Sequence, residues 1–164
     1  MVNPFLHVEL KEVMFNQKDG LWKVADFGLT KIEKTSGNET QVGNGTSGYR
    51  APEIIVPLAE NRKAEYGNKV DVFAMGCILF EIIFQKKAFT NDIAVHQFWR
   101  SKRAPRFPKL PGEGEIGSLP YENKLEPLIL SMWKLNPQLR PTAEELCTSF
   151  RPVKTASGCS ILLH

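Results

Sequence analysis

Apolar positions divide the chain into a front part of short runs and a rear part of helical stripes. Glu12–Phe15 reads as a short strand, "NQKDG" (Asn16–Gly20) as a turn ending in Asp-Gly, and "LWKVA" (Leu21–Ala25) as the returning strand, because apolar and polar residues alternate. From there to Gly48 the chain is polar and rich in Gly, Ser and Thr without periodicity, which predicts a mobile surface loop. Pro52 and Pro57 bracket a short helical piece at best. Lys69–Gln85 is apolar on all faces, the mark of a buried central helix. Asp92–Lys102 is an amphipathic helix candidate carrying Ile93, Val95, His96, Phe98 and Trp99. Ala104–Pro120 is punctuated by Pro and Gly and reads as an irregular connection. Leu125, Leu128, Ile129, Met132, Trp133 and Leu135 fall at helical spacing. Thr142 with Glu145, ahead of Leu146, spells a capping box. Arg151–His164 reads as a tail.

Composition narrows the classes. A chain of 164 residues is one domain by default and long enough for a real core. The net charge of +3 gives no strong pull toward nucleic acid or membrane, and neither is expected as a partner. Arg100, Lys102, Arg103 and Arg106 form a short basic cluster broken by Pro105, read mainly as solvated surface, with docking of an acidic partner as the minority reading. Cys77, Cys147 and Cys159 are odd in number and widely spaced, against a disulfide framework or zinc site and in favour of a reducing compartment. With no signal-peptide pattern at the N-terminus, the expected location is intracellular, cytoplasmic or nuclear. The sequons at Asn38 and Asn44 are chance matches in that setting. Val70–Phe84 is too short to span a bilayer comfortably and carries Asp71 and Glu81.

Gly43, Gly45 and Gly48, within "VGNGTSGYRAPE", spell G-x-G-x-x-G. A dinucleotide fold needs a strand before the first glycine and a helix at the last. "EKTSGNETQ" cannot be a buried strand, and the residues after Gly48 run into Pro52. Four neighbouring stretches give another reading: "KVADFGLTK" (Lys23–Lys31), "GTSGYRAPE" (Gly45–Glu53), "DVFAMGCILFE" (Asp71–Glu81) and "NPQLRPTAEEL" (Asn136–Leu146). In this order and spacing they resemble the large lobe of a eukaryotic-type protein kinase. The glycines then end the activation segment, where they let the chain turn and lie close to a substrate backbone.

The resemblance implies a mostly α fold: a kinase-like C-terminal lobe with a short β-hairpin before the DFG and the small lobe absent. Residues 1–150 would be the incomplete kinase domain and 151–164 a C-terminal tail. It implies ATP and Mg²⁺ as cofactors, with Asp26 as the metal-holding carboxylate, Phe27 packing to set the loop position and Gly28 supplying hinge freedom. Thr40, Thr46, Gly48, Tyr49 and Glu53 would belong to the activation segment, and Thr46 points to the serine/threonine class. Thr35, Ser36, Thr40 and Ser47 are candidate phosphosites. Glu53 would pair with Arg140 through a two-bond fork. Asp71 would anchor the catalytic loop through backbone N–H groups. Trp133 and Phe73 are core.

The same comparison exposes departures. The catalytic-loop pattern H-R-D-L-x-x-x-N falls on "HVELKEVM" (His7–Met14), where His7, Leu10 and Lys11 fit. Val8 stands in place of Arg, Glu9 in place of the catalytic Asp, and Met14 in place of the metal-binding Asn. The extra methylene of Glu9 displaces its carboxylate by roughly 1 Å, a shift that can cost about 10²-fold in rate. Val8 removes switching by an Arg–phosphate bond. The expectation is a serine/threonine kinase-like domain that is inactive as this isolated chain. A pseudokinase-like interaction module, or a fragment of a longer kinase gene, is the alternative. The expected partner is a protein, as substrate or binder, and an exposed cleft surface would favour association.

Overall fold

The computed structural model describes residues 4–5, 13–18, 21–24, 31–32, 45–60, 62, 66–108 and 122–149. The described chain is mostly helical. Four short strands come first: β1 (Pro4–Phe5), β2 (Val13–Asn16), β3 (Leu21–Val24) and β4 (Lys31–Ile32). β1 pairs antiparallel with β4, and β2 with β3 in the register Val13 to Val24 and Asn16 to Leu21. Asn16 Oδ1 accepts from the Lys18 N–H at 3.0 Å, the side-chain turn that ends β2. The helices follow: α1 (Pro52–Ala59), α2 (Lys69–Phe84), α3 (Asp92–Ser101), α4 (Glu122–Met132) and α5 (Ala143–Ser149), with a 3₁₀ turn at Pro137–Leu139 between the last two.

Two expectations need correction at prolines. Pro57 does not bracket a helix; α1 runs through it to Ala59. Pro52 at the first helical position gives up an N–H that would be unbonded anyway. Pro57 forfeits only its bond to the Glu53 carbonyl, while Ile54, Ile55 and Val56 are buried on the core. The stripe Leu125–Leu135 is not one helix either. α4 ends at Met132, with Pro127 inside it, and Trp133 lies in the following turn.

The core forms around α2. Val70, Phe73, Ala74, Cys77, Ile78 and Phe80 are buried on it. Trp133 lies against Phe80, Phe89 and Phe107, with ring centroids 5.2–6.0 Å apart. Gly76 makes this possible: a Cβ there would sit 2.8 Å from Trp133 Nε1 and 3.1 Å from Met132 Cβ. Burial pushes the Cys77 thiol well above the ordinary range, against a smaller lowering by Trp133 and Arg140, which makes it an inert packing group. α3 starts on Asn91, whose side chain accepts from the Ala94 N–H at 3.0 Å. α5 starts on a reciprocal cap: the Glu145 N–H donates to Thr142 Oγ1 at 3.1 Å, and the Thr142 N–H donates to Glu145 Oε2 at 2.7 Å. Among the described residues, no helix is long and apolar enough to cross a membrane.

Replacing Gly76 with Ala should therefore destabilise the fold by about 1–3 kcal/mol, the usual cost of overpacking, read from urea unfolding. The Thr142 backbone bond, and then the Thr142 hydroxyl, hold the Glu145 carboxyl below its usual pKa. The cap's contribution is thus complete above the ordinary glutamate pKa and fades as pH falls through the lowered value. Following the Thr142 amide by NMR should give a titration midpoint below that of a free glutamate; a midpoint at or above it contradicts the cap.

Candidate functional site

Two glycines shape the segment that opens at Gly45. Gly45 and Gly48 have φ of +79° and +88°, left-handed values that glycine adopts without strain. The Tyr49 N–H closes a turn on the Thr46 carbonyl at 3.2 Å. At Gly48 the constraint is also spatial, since a Cβ would sit 2.5 Å from the Phe89 carbonyl oxygen. The backbone is pressed onto the connection between α2 and α3.

Side chains clasp it there. The Gly48 N–H donates to Asp92 Oδ1 at 3.1 Å, and Arg50 Nη1 donates to Asp92 Oδ2 at 2.6 Å. The Asp92 N–H donates to Ser47 Oγ at 3.1 Å. Arg50 also donates to the Gly45 carbonyl, holding both ends of the turn. The Tyr49 hydroxyl donates to the Glu81 carboxylate on α2, and Lys87 Nζ lies 4.9 Å over the Tyr49 ring. Hydrogen bonds to charged groups each contribute about 1.5–3 kcal/mol net, so this clasp outweighs the ordering cost of a few residues.

Glu53, on the first turn of α1, meets Arg140 beyond the 3₁₀ turn. Arg140 Nη1 donates to Glu53 Oε1 at 2.6 Å and Nη2 to Oε2 at 2.8 Å, a two-bond fork. The Arg140 side chain is fully buried and that of Glu53 is 15% exposed. Two further guanidinium bonds go to backbone: Nη1 donates to the Lys69 carbonyl and Nε to the Lys134 carbonyl, each at 2.8 Å. Lys69 Nζ returns a bond to the Arg140 carbonyl at 2.6 Å, and the guanidinium lies 5.3 Å over the Phe73 ring. Arg140 is the one buried charged residue among the described residues, and the Glu53 carboxylate is its counter-charge.

Of the residues singled out from sequence, Thr46, Tyr49 and Asp71 line one narrow slot of about 10 Å³, together with Gly45, Arg50 and Ile54. Asp71 stands in the first turn of α2. Glu9, Asp26, Phe27, Gly28 and Thr40 lie outside the described residues, as does the His7–Glu12 stretch. Met14 sits within β2, paired with Lys23 and 59% exposed. Among the described residues no group of three or more His, Cys, Asp or Glu could hold a metal ion. Sequence reasoning missed Asp92, Glu81 and Lys69 as partners. Asp92 and Glu81 were visible only as polar positions on predicted helices, and contacts 42 and 32 residues apart leave no mark in local periodicity.

The family model described as "Protein kinase domain" matches residues 2–150. The chain is similar to the serine/threonine-protein kinase BCK1/SLK1/SSP31 of Saccharomyces cerevisiae, 32% identical over 148 residues, covering 86% of this chain and 9% of that protein. It is 34% identical over 148 residues to the serine/threonine-protein kinase Nek6 of Oryza sativa subsp. japonica, covering 88% of this chain and 24% of that protein. It is 40% identical over 170 residues to the chitin elicitor receptor kinase 1 of Arabidopsis thaliana, covering 94% of this chain and 26% of that protein. The chain thus spans about a quarter or less of the length of these relatives.

Removing one arm of the Glu53–Arg140 fork should expose its worth. Glu53→Ala leaves Arg140 buried without its counter-charge, and we expect a loss of about 3–5 kcal/mol in chemical denaturation. Adding Arg140→Met should recover part of that loss in a double-mutant cycle. Simple additivity of the two changes would show that the fork is not an energetic unit.

Proposed function

The chain belongs to the protein kinase family, and on that premise we propose that it is the helical, substrate-facing part of a serine/threonine kinase-like domain. Its family reaction is transfer of the ATP γ-phosphate to protein hydroxyls. The observation that carries this reading is the buried Glu53–Arg140 fork, which fixes the end of a glycine-shaped segment to the helical core. A segment so held presents Thr46 and the Gly45–Gly48 backbone on a rigid base, as positioning of a substrate chain requires. Thr46 beside Asp71 in one slot fits the serine/threonine class. Residues 1–150 form the kinase-like unit in this reading and 151–164 the tail.

Magnesium bound with ATP would neutralise charge building on the transferred phosphoryl group. Asp26 offers the hard carboxylate oxygen that this ion prefers. Met14, on an exposed face of β2, offers only a thioether, a soft donor unsuited to magnesium. The donor set therefore supplies one of the two expected ligands. Glu9 in the base position has a side chain one methylene longer than an aspartate, and Val8 has no charge to pair with a phosphorylated loop. On these grounds the isolated chain does not transfer phosphate. Met14 also favours a second reading, a pseudokinase-like module that binds a protein partner through its helical surface.

Incubating the purified chain with labelled ATP, magnesium and a generic serine- and threonine-containing protein should leave the substrate unlabelled. Labelling that disappears on Asp26→Ala would overturn the inactive reading and establish Asp26 as the metal-holding group. A melting shift on adding ATP that requires magnesium, without labelling, would support a binding-only domain.

A further inference from the structure

α3 turns two different faces outward from its buried stripe of Val95 and Phe98. Ile93 is 68% exposed, and Gln97 and Arg100 continue its line at helical spacing. Between α1 and α3 lies an open cavity of about 410 Å³, lined by Ile55, Leu58, Ala59, Asp92, Ile93 and His96. The lining is apolar apart from His96 and Asp92, and it admits a bulky apolar side chain.

Two helical turns on, the chemistry changes. Arg100, Lys102, Arg103 and Arg106 are all exposed, and none makes an ion pair among the described residues. Lys102 Nζ rests 4.6 Å over the Trp99 ring, which fixes the start of this patch. Four positive charges within seven positions exceed the +3 net charge of the whole chain. Ile93 and Arg100 stand seven residues apart, about 10 Å along the helix axis. An apolar cavity and an unneutralised basic patch are thus separated by a distance that one short peptide segment spans.

We propose that this surface docks an acidic protein segment bearing an apolar anchor: the anchor enters the α1–α3 cavity and its carboxylates fall on the Arg100–Arg106 patch. Charge complementarity selects the acidic partner, and the cavity selects a polypeptide over a nucleic acid, whose phosphate backbone offers nothing apolar at that reach. The docking does not depend on phosphate transfer by this chain.

The test is fluorescence anisotropy of the full chain with a labelled synthetic peptide in which paired leucines precede a run of glutamates. Saturable binding is expected, weakened about tenfold or more by Ile93→Asp and, separately, by Arg100→Glu with Arg103→Glu. All these side chains are exposed, and an unchanged melting curve verifies that each variant is folded. Equal binding after the peptide leucines become serines would overturn the anchor and with it the proposal. A single-stranded oligonucleotide of equal charge that binds as tightly and displaces the peptide would assign the patch to nucleic acid instead. Self-association abolished by Ile93→Asp, with no peptide binding, would give the groove to a second copy of the chain.

Discussion

Arg140 is the joint on which the described structure turns. Its guanidinium reaches α1 through Glu53, the start of α2 through the Lys69 carbonyl and the Phe73 ring, and the chain after α4 through the Lys134 carbonyl. Three segments of the chain meet at one planar group. A lysine could carry the charge but not the fork, since an ammonium has no two parallel donors to match a carboxylate. Burying such a charge is costly unless it is paired and hydrogen-bonded, and here one carboxylate and two carbonyls accept from it. The fixed position of α1 follows, and with it the landing point of the segment that precedes it.

That segment is held by a second, more peripheral set of bonds. Asp92 accepts from both Gly48 and Arg50 and gives its own N–H to Ser47, so one residue at the start of α3 governs the shape of residues 47–50. Gly48 is held by space as much as by bonds, because the Phe89 carbonyl occupies the place of any side chain. The glycine pattern is therefore a record of two backbones in close approach.

Legibility in the sequence followed the range of the interaction concerned. Lys69–Phe84 was readable because a helix buried on nearly every side leaves an unbroken apolar run. The Thr142–Glu145 cap was readable because both partners lie within one turn. The passage of α1 through Pro57 was not, since local rules count the lost hydrogen bond and not the buried Ile54–Val56 that offsets it. The end of α4 at Met132 was hidden for a similar reason: the stripe continues to Leu135, but the chain turns so that Trp133 can lie on Gly76. Glu53 and Arg140 could be matched only through family resemblance, because nothing in local pattern links residues 87 positions apart. Asp92 had no such resemblance to reveal it.

The burial of Arg140 divides the electrostatics of this protein into two regimes. At physiological ionic strength dissolved ions damp exposed charges beyond about 8 Å, and more concentrated electrolyte shortens that reach further. The guanidinium under α1, shut away from mobile ions, is largely indifferent to such changes, whereas the cations that follow α3 are not. Electrolyte concentration can thus silence the protein's outward-facing charge while leaving the frame that holds its shape intact.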